Sequence, residues 1–107
     1  MKYITFTIPC YNSENYMRRC VDSLLVGGED VEILIIDDGS SDMTVAIADD
    51  YEMLFPNIVK AVHKPNGGHG SGVNKGLELA HGLYYKVVDS DDWFDRDAYL
   101  KMLDKIK

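Results

Sequence analysis

The sequence predicts an α/β protein whose core is a mainly parallel four-stranded sheet covered by helices on both faces. Short apolar runs rich in β-branched and aromatic residues alternate with stretches of three-four helical periodicity, four times over. Helices long enough to cross a sheet lie between the runs, so each connection is a right-handed crossover between parallel strands. No linker, internal repeat or low-complexity tract interrupts the alternation, and 107 residues suffice for one small domain.

Lys2–Pro9, KYITFTIP, alternates and ends in proline, as a first strand does. Asn12 or Ser13 is then placed to cap a helix running to Leu25, with Tyr16, Met17, Cys20, Val21, Leu24 and Leu25 as its apolar face and Gly27 and Gly28 as its end. Val31–Ile36, VEILII, is a nearly unbroken apolar run of the kind buried on both faces. Ser40 or Ser41 should cap the second helix, whose stripe is Val45, Ile47, Ala48, Tyr51 and Leu54, with Pro56 just beyond. Asn57–His63 reads as a shorter third strand. A third helix follows from about Ser71 to Ala80, with Val73, Leu77 and Ala80 inward and Gly82 closing it. Tyr84, Tyr85, Val87 and Val88 predict a buried fourth strand that stops near Asp89. Tyr99, Met102, Leu103 and Ile106 mark a last helix.

The formal net charge is −7, from 18 acidic and 11 basic residues. That balance argues against a nucleic-acid backbone as partner, which needs clustered Lys and Arg. It leaves room for a phosphorylated small molecule if a metal bridges the like charges. No apolar stretch approaches the roughly 20 residues of a membrane span, and the start MKYITFTIPCYN lacks the long apolar region of a signal peptide. A cytoplasmic protein is the expectation. Cys10 and Cys20 form neither a disulfide framework nor a zinc pattern, and buried, reduced thiols are expected.

In a parallel sheet all strand ends meet at one edge, where ligands bind. Here that edge gathers Pro9–Asn12, Asp37–Ser40, His63–Gly70 and Asp89–Asp92. Asp89, Asp91 and Asp92 place three carboxylates within four residues. Such close acids repel one another unless a cation sits among them, and hard oxygen ligands suit magnesium or manganese. For a lone Asp-x-Asp a solvated turn capping the next helix is the favoured reading, but the other strand ends reverse the balance. The turn Asp37–Asp38–Gly39–Ser40 offers acceptors for ring N–H groups or ribose hydroxyls, or is simply a tight turn. PNGGHGSG, Pro65–Gly72, puts small residues before a helix N-terminus, where amides can cradle phosphate. It is neither a P-loop nor a dinucleotide fingerprint, and a plain surface loop has the same composition. His69 has a metal or a phosphate as candidate partners, although a lone loop histidine more often has neither. Lys75 either reaches the phosphates or faces solvent.

The segments TIPCYNSENYMRRCVDSLL, VEILIIDDGSSDMT, KPNGGHGSGVNKGLELAHG and YYKVVDSDDW, in this order and spacing, resemble the family-two inverting glycosyltransferases. The match runs from about Ile4 to Asp95. The resemblance implies a Rossmann-like three-layer sandwich of the GT-A type with strand order 3-2-1-4, acting as a single nucleotide-sugar-binding domain. It implies that Pro9, Tyr11 and Asp38 hold the uracil and ribose of a UDP-sugar, with Asp37, Gly68, Asn74, Lys75 and Asp89 completing the nucleotide site. It implies Asp89 and Asp91 as the Asp-x-Asp pair, Asp91 being the first choice for direct ligation of Mg²⁺ or Mn²⁺. Many family members carry Ala-Arg-Asn where this chain has Gly72–Val73–Asn74, so an arginine that would face the nucleotide is absent. Lys75 and the GGHG backbone are the candidates to replace it. The family's catalytic base lies well after the Asp-x-Asp strand, in the half that binds the acceptor. No residue up to Lys107 is assigned that role, and the chain is expected to be the amino-terminal part of a longer enzyme.

The mechanism implied is direct displacement: a base deprotonates an acceptor hydroxyl, which attacks the anomeric carbon with inversion. The acceptor would be a saccharide or lipid-linked glycan of a surface polysaccharide, cell-wall polymer or glycolipid, handled at the cytoplasmic face of the membrane. Two other classes compete. One is a non-catalytic nucleotide- or metal-binding module. The other is a phospho-accepting receiver domain, which would need acids after the first strand, where this chain has Pro9–Cys10–Tyr11.

Overall fold

The computed structural model describes residues 1–107 and contains four parallel strands in the order β3-β2-β1-β4. They are β1 (Ile4–Cys10), β2 (Val31–Asp38), β3 (Val59–Lys64) and β4 (Tyr84–Val87), joined by α1 (Met17–Leu25), α2 (Thr44–Leu54) and α3 (His69–Leu79), with α4 (Arg96–Ile106) after the last strand. The predicted sheet, its order and its helices on both faces are all present. β2 is buried along its whole length, as its apolar run requires.

The strand period of two divides β1 between two environments. Ile4, Phe6, Ile8 and Cys10 belong to the main core with Met17, Cys20, Val21 and Leu24 of α1, Ile47 and Ala48 of α2, and Tyr99 and Leu103 of α4. Phe6, Phe94 and Tyr99 meet edge to face at centroid separations of 5.4–5.7 Å, and the Tyr99 hydroxyl donates to the Leu24 carbonyl at 2.8 Å. Thr5, Thr7 and Pro9 face α3 instead. This second layer is polar: Glu32 accepts from the Thr5 hydroxyl, the His81 amide and the His81 ring at 2.8, 2.8 and 2.9 Å.

The third helix departs from its predicted face. Leu77 is 59% exposed, Val73 and Ala80 are half-buried, and the buried positions are Gly72 and Gly76. A Cβ on Gly76 would overlap the Thr7 side chain and reach the Tyr85 hydroxyl at 2.8 Å. The helix therefore packs through bare backbone, closer than a leucine stripe permits, and starts at His69 rather than Ser71. Under it the Thr7 hydroxyl is buried without a hydrogen-bond partner.

Capping also differs. Asn12 and Ser13 do not cap α1: the chain turns once more, and the Ser13 carbonyl accepts from the Tyr16 and Met17 amides. Asn12 adopts a left-handed φ of 48°, and its side chain accepts from the Ser41 amide at 2.9 Å. Ser40 and Ser41 likewise precede α2 without capping it; Asp42 takes the Thr44 amide at 2.9 Å. Tyr16 and Leu54 are exposed rather than buried. β4 is an edge strand that ends at Val87, with Tyr84 53% exposed, rather than a buried one.

Pro9 has a topological consequence. The β1–β4 ladder runs from Ile4↔Tyr84 to Thr7↔Val87, with a last bond from the Val88 amide to the Thr7 carbonyl. Pro9, two residues further, faces the same side and has no N–H to continue it. β1 and β4 therefore part at the strand ends while β1 and β2 stay paired to Cys10↔Asp37. This is also where chain order reverses across the sheet, the usual place for a ligand crevice.

Gly76→Ala is expected to destabilise by about 1–3 kcal/mol through overpacking, whereas Gly70→Ala, with open space around its Cβ, should be neutral or stabilising by up to about 1 kcal/mol; urea denaturation distinguishes them. Burial alone would raise the Glu32 pKa, but the bonds from His81 and Thr5 outweigh it and hold the carboxyl below its ordinary 4.5. Its stabilisation is then complete above that value and lost as pH falls through the lowered folded-state pKa. The urea midpoint should drop in that acid range, and Glu32→Gln should flatten this part of the profile.

Candidate functional site

The four strand ends form one continuous edge. The Asn12 amide donates to Ser40 Oγ at 3.0 Å, and the Ser13 amide to Thr44 Oγ1 at 2.8 Å, tying the β1 end to the β2 end. Ser13 Oγ lies 3.0 Å from Ser90 Oγ, tying β1 to the acidic turn. Asn66 donates to the Asp38 carbonyl at 3.1 Å, bringing the glycine-rich loop against the β2 turn. That contact requires glycine at position 39, where φ is 71° and a Cβ would come 2.7 Å from the Asn66 amide.

The acceptors predicted to await a ligand at the β2 end are already engaged. Asp37 and Asp38 are 2% and 5% exposed. Asp37 accepts from the Ser40 amide at 3.0 Å and faces His63 Nδ1 at 2.8 Å. Asp38 accepts from Lys64 Nζ at 2.7 Å and from the amides of Gly67 and Gly68 at 2.8 and 2.9 Å. Burial would raise the Asp38 pKa, but these donors, Lys64 foremost, lower it. Through these bonds both carboxylates shape the turn and the loop. His63 also meets Asp49 through Nε2 at 2.7 Å. The Asp49 bond chiefly raises the His63 pKa, against burial and with Asp37 assisting, which favours the imidazolium between two acids.

The Gly68 amide is occupied by Asp38, but its φ of 90° turns the chain into α3. The amides of His69, Gly70 and Ser71 in the first turn of α3 have no intrahelical acceptors, the type of donor group that a phosphate cradle needs. Asn74 is exposed on α3. The Lys75 ammonium pairs with Glu78 at 3.6 Å, one turn along the helix. Pro9 lies under Gly72, and Tyr11 is 55% exposed beyond the end of β1, an available aromatic face.

Across the opening stand Asp89, Asp91 and Asp92, all exposed, with a ligand oxygen from each within 4.8 Å of the others. The Asp92 amide closes the turn on the Asp89 carbonyl at 3.0 Å. Asp89 and Asp92 border a cavity of about 260 Å³ that also includes Val88, Trp93 and Phe94. Two other cavities, between α1 and α2 and beside α4, touch none of the predicted site residues. The Arg19 guanidinium stacks 3.4 Å from the Trp93 ring centre and fastens the acidic turn to α1. Beneath, burial pushes the Cys10 and Cys20 thiols up to about 12, with the three aspartates adding to the effect on Cys20. Both stay protonated and free, as expected.

The chemistry of this edge has three parts: a hard-oxygen cluster fit for a divalent cation, a row of amide donors fit for phosphate, and an aromatic face at Tyr11. Residue-by-residue reading missed Ser13, Lys64 and His63, which assemble it. A signal existed for the last two. Aligning the parallel strand ends Asp37–Asp38 and His63–Lys64 sets two acids beside two bases, the pairing found in the sheet register.

The sequence profile of the family described as Glycosyl transferase family 2 matches residues 5–107. The chain is 42% identical over 107 residues to the uncharacterized glycosyltransferase MG025 homolog of Mycoplasma pneumoniae, covering 94% of this chain and 36% of that protein. It is 37% identical over 102 residues to the poly(ribitol-phosphate) beta-glucosyltransferase of Bacillus spizizenii, covering 92% and 16%. Among solved structures it resembles residues 1–349 of TarS from S. aureus in complex with UDP, with a TM-score of 0.84, 28% identity, and coverage of 99% of this chain and 32% of that one. The chain thus spans about a third or less of these longer proteins. With the family profile covering nearly every residue and the sheet order reproduced in a solved relative, this chain belongs to glycosyl transferase family 2.

Proposed function

We propose that the chain is the donor-binding domain of a longer glycosyltransferase and that it holds a UDP-sugar through a divalent cation. The observation that carries this reading is that the acid cluster of Asp89, Asp91 and Asp92 is joined to the start of α3, whose first-turn amides lack intrahelical acceptors, by the 3.7 Å approach of Asp89 to His69. The TarS complex with UDP supports a uridine nucleotide as ligand. Tyr11 would stack on the base, with Pro9 as the floor. Asp38, by fixing Lys64, Gly67 and Gly68, would set the shape of the phosphate cradle. Asp89 and Asp91 would hold Mg²⁺ or Mn²⁺, which when bound supplies Lewis-acid stabilisation of the departing diphosphate. The cation also answers a charge problem, since a chain of net charge −7 must bind an anion.

The sugar would pass with inversion to a hydroxyl of a saccharide or lipid-linked glycan in surface polysaccharide, cell-wall or glycolipid synthesis. The catalytic base and acceptor site would be supplied outside these residues, as the greater length of the relatives suggests. A cytoplasmic setting, at the inner face of the membrane for the longer protein, goes with this reading and with the two free thiols. No helix here is long and apolar enough to cross a membrane.

UDP titrated calorimetrically into the chain should bind with Mg²⁺ or Mn²⁺ present and lose at least about tenfold in affinity, roughly 1.4 kcal/mol, in EDTA or on Asp91→Ala. Equal affinity in EDTA would remove the metal bridge. Asp38→Asn should cost about 1.5–3 kcal/mol of stability and speed amide hydrogen exchange at Gly67–Ser71; unchanged exchange there would deny Asp38 its role in shaping the loop.

A further inference from the structure

His69 is the first residue of α3. Its side chain is 63% exposed, and its Nε2 stands 3.7 Å from Asp89 Oδ1, its one ion-pair contact. The glycines on either side leave the ring room to turn: Gly68 and Gly70 have nothing within 4 Å of where a Cβ would sit. An imidazole nitrogen is thus held at the rim of the carboxylate cluster from the opposite wall of the crevice.

The separation suits a shared ion. A cation with metal–ligand bonds of about 2.1 Å spaces adjacent ligand atoms about 3 Å apart and opposite ones about 4.2 Å apart, and 3.7 Å falls between them. On the reading that Asp89 and Asp91 hold a divalent cation, we infer that His69 is a nitrogen ligand of the same ion and tilts the site toward manganese and away from magnesium. Mg²⁺ is a hard ion that keeps oxygen ligands and sheds water reluctantly. Mn²⁺ accepts a mixed oxygen and nitrogen set, and imidazole is a common ligand for first-row metals. An all-carboxylate site would discriminate little between the two; one imidazole gives the distinction. The same contact would join the α3 cradle to the acidic turn, so that metal loading closes the two walls of the crevice on each other.

The test uses Mn²⁺ and Mg²⁺ separately, without nucleotide, on the unmodified chain, His69→Ala, His69→Gln and Asp91→Ala. Calorimetry gives affinities, and electron spin-echo modulation of bound Mn²⁺ reports directly coordinated nitrogen. The unmodified chain should show nitrogen coupling and favour Mn²⁺. Both His69 variants should lose the coupling and about tenfold or more of the Mn²⁺ affinity, since even outer-shell partners of a ligand are worth 10- to 100-fold. Their Mg²⁺ affinity should stay within about twofold, because magnesium gains little from the imidazole. Mn²⁺ binding that is lost in Asp91→Ala, yet shows no nitrogen coupling or keeps it in His69→Ala, overturns the role of His69 and leaves the carboxylate site standing. Failure of the unmodified chain to bind Mn²⁺, or binding indifferent to Asp91→Ala, overturns both. His69 is exposed, so circular dichroism of its variants should match that of the unmodified chain.

Discussion

Two adjacent carboxylates end the most buried strand of the sheet, and the rest of the ligand edge follows from how their charge is satisfied. Asp37 and Asp38 are almost wholly out of water, where an unpaired carboxylate would cost several kcal/mol or take up a proton. Adjacent residues on a strand point to opposite faces, so each acid needs its own partners. Asp37 draws on His63 and the Ser40 amide, Asp38 on Lys64 and two loop amides. The glycine-rich loop is folded back over the sheet by this requirement. With the loop so placed, α3 begins at His69, whose ring comes within 3.7 Å of Asp89.

The other wall is set by an interruption. Pro9 cannot extend the ladder to β4, so the fourth strand diverges and its acidic end is free to stand apart from the first three. Arg19, stacked on Trp93, and Ser13, beside Ser90, keep that divergence fixed. The missing N–H of Pro9 thus marks where the β1–β4 ladder stops. Beyond it the start of α3, rich in amide donors, and the acid cluster approach each other at His69 and Asp89, 3.7 Å apart, an arrangement matched to a cation–phosphate pair.

Much of this was legible from residue order. The four β-α units, the parallel sheet and the acidic turn all follow from apolar periodicity and from where the strand formers stop. What escaped were features set by neighbours distant in sequence. Gly72 and Gly76 replaced Val73 and Leu77 as the inward face of α3 because the polar threonines of β1 demand a close, flat approach, which hydrophobic periodicity does not register. The serines before α2 do not cap it because their hydroxyls are turned to Asn12, Ser40 Oγ accepting its amide and Ser41 Oγ donating to its side chain, while Asp42 accepts from the Thr44 amide. The partner of Asp38 was hidden in the same way, since only the strand register reveals Lys64 beside it. In the site, the residues expected to touch ligand were easier to name than those that hold them in place.

β4 carries a further implication. One side of this strand is bonded to β1, while the other presents unsatisfied backbone groups flanked by the exposed Leu83 and Tyr84. A short, nearly uncharged margin of this kind is a template for intermolecular pairing, which soluble proteins ordinarily blunt with lysines, prolines or a covering segment. Lys86 is the lone gatekeeper along it. Handled without anything to shield that margin, the polypeptide would be prone to stick to its own copies, and its colloidal behaviour would be governed by the strand farthest from β3.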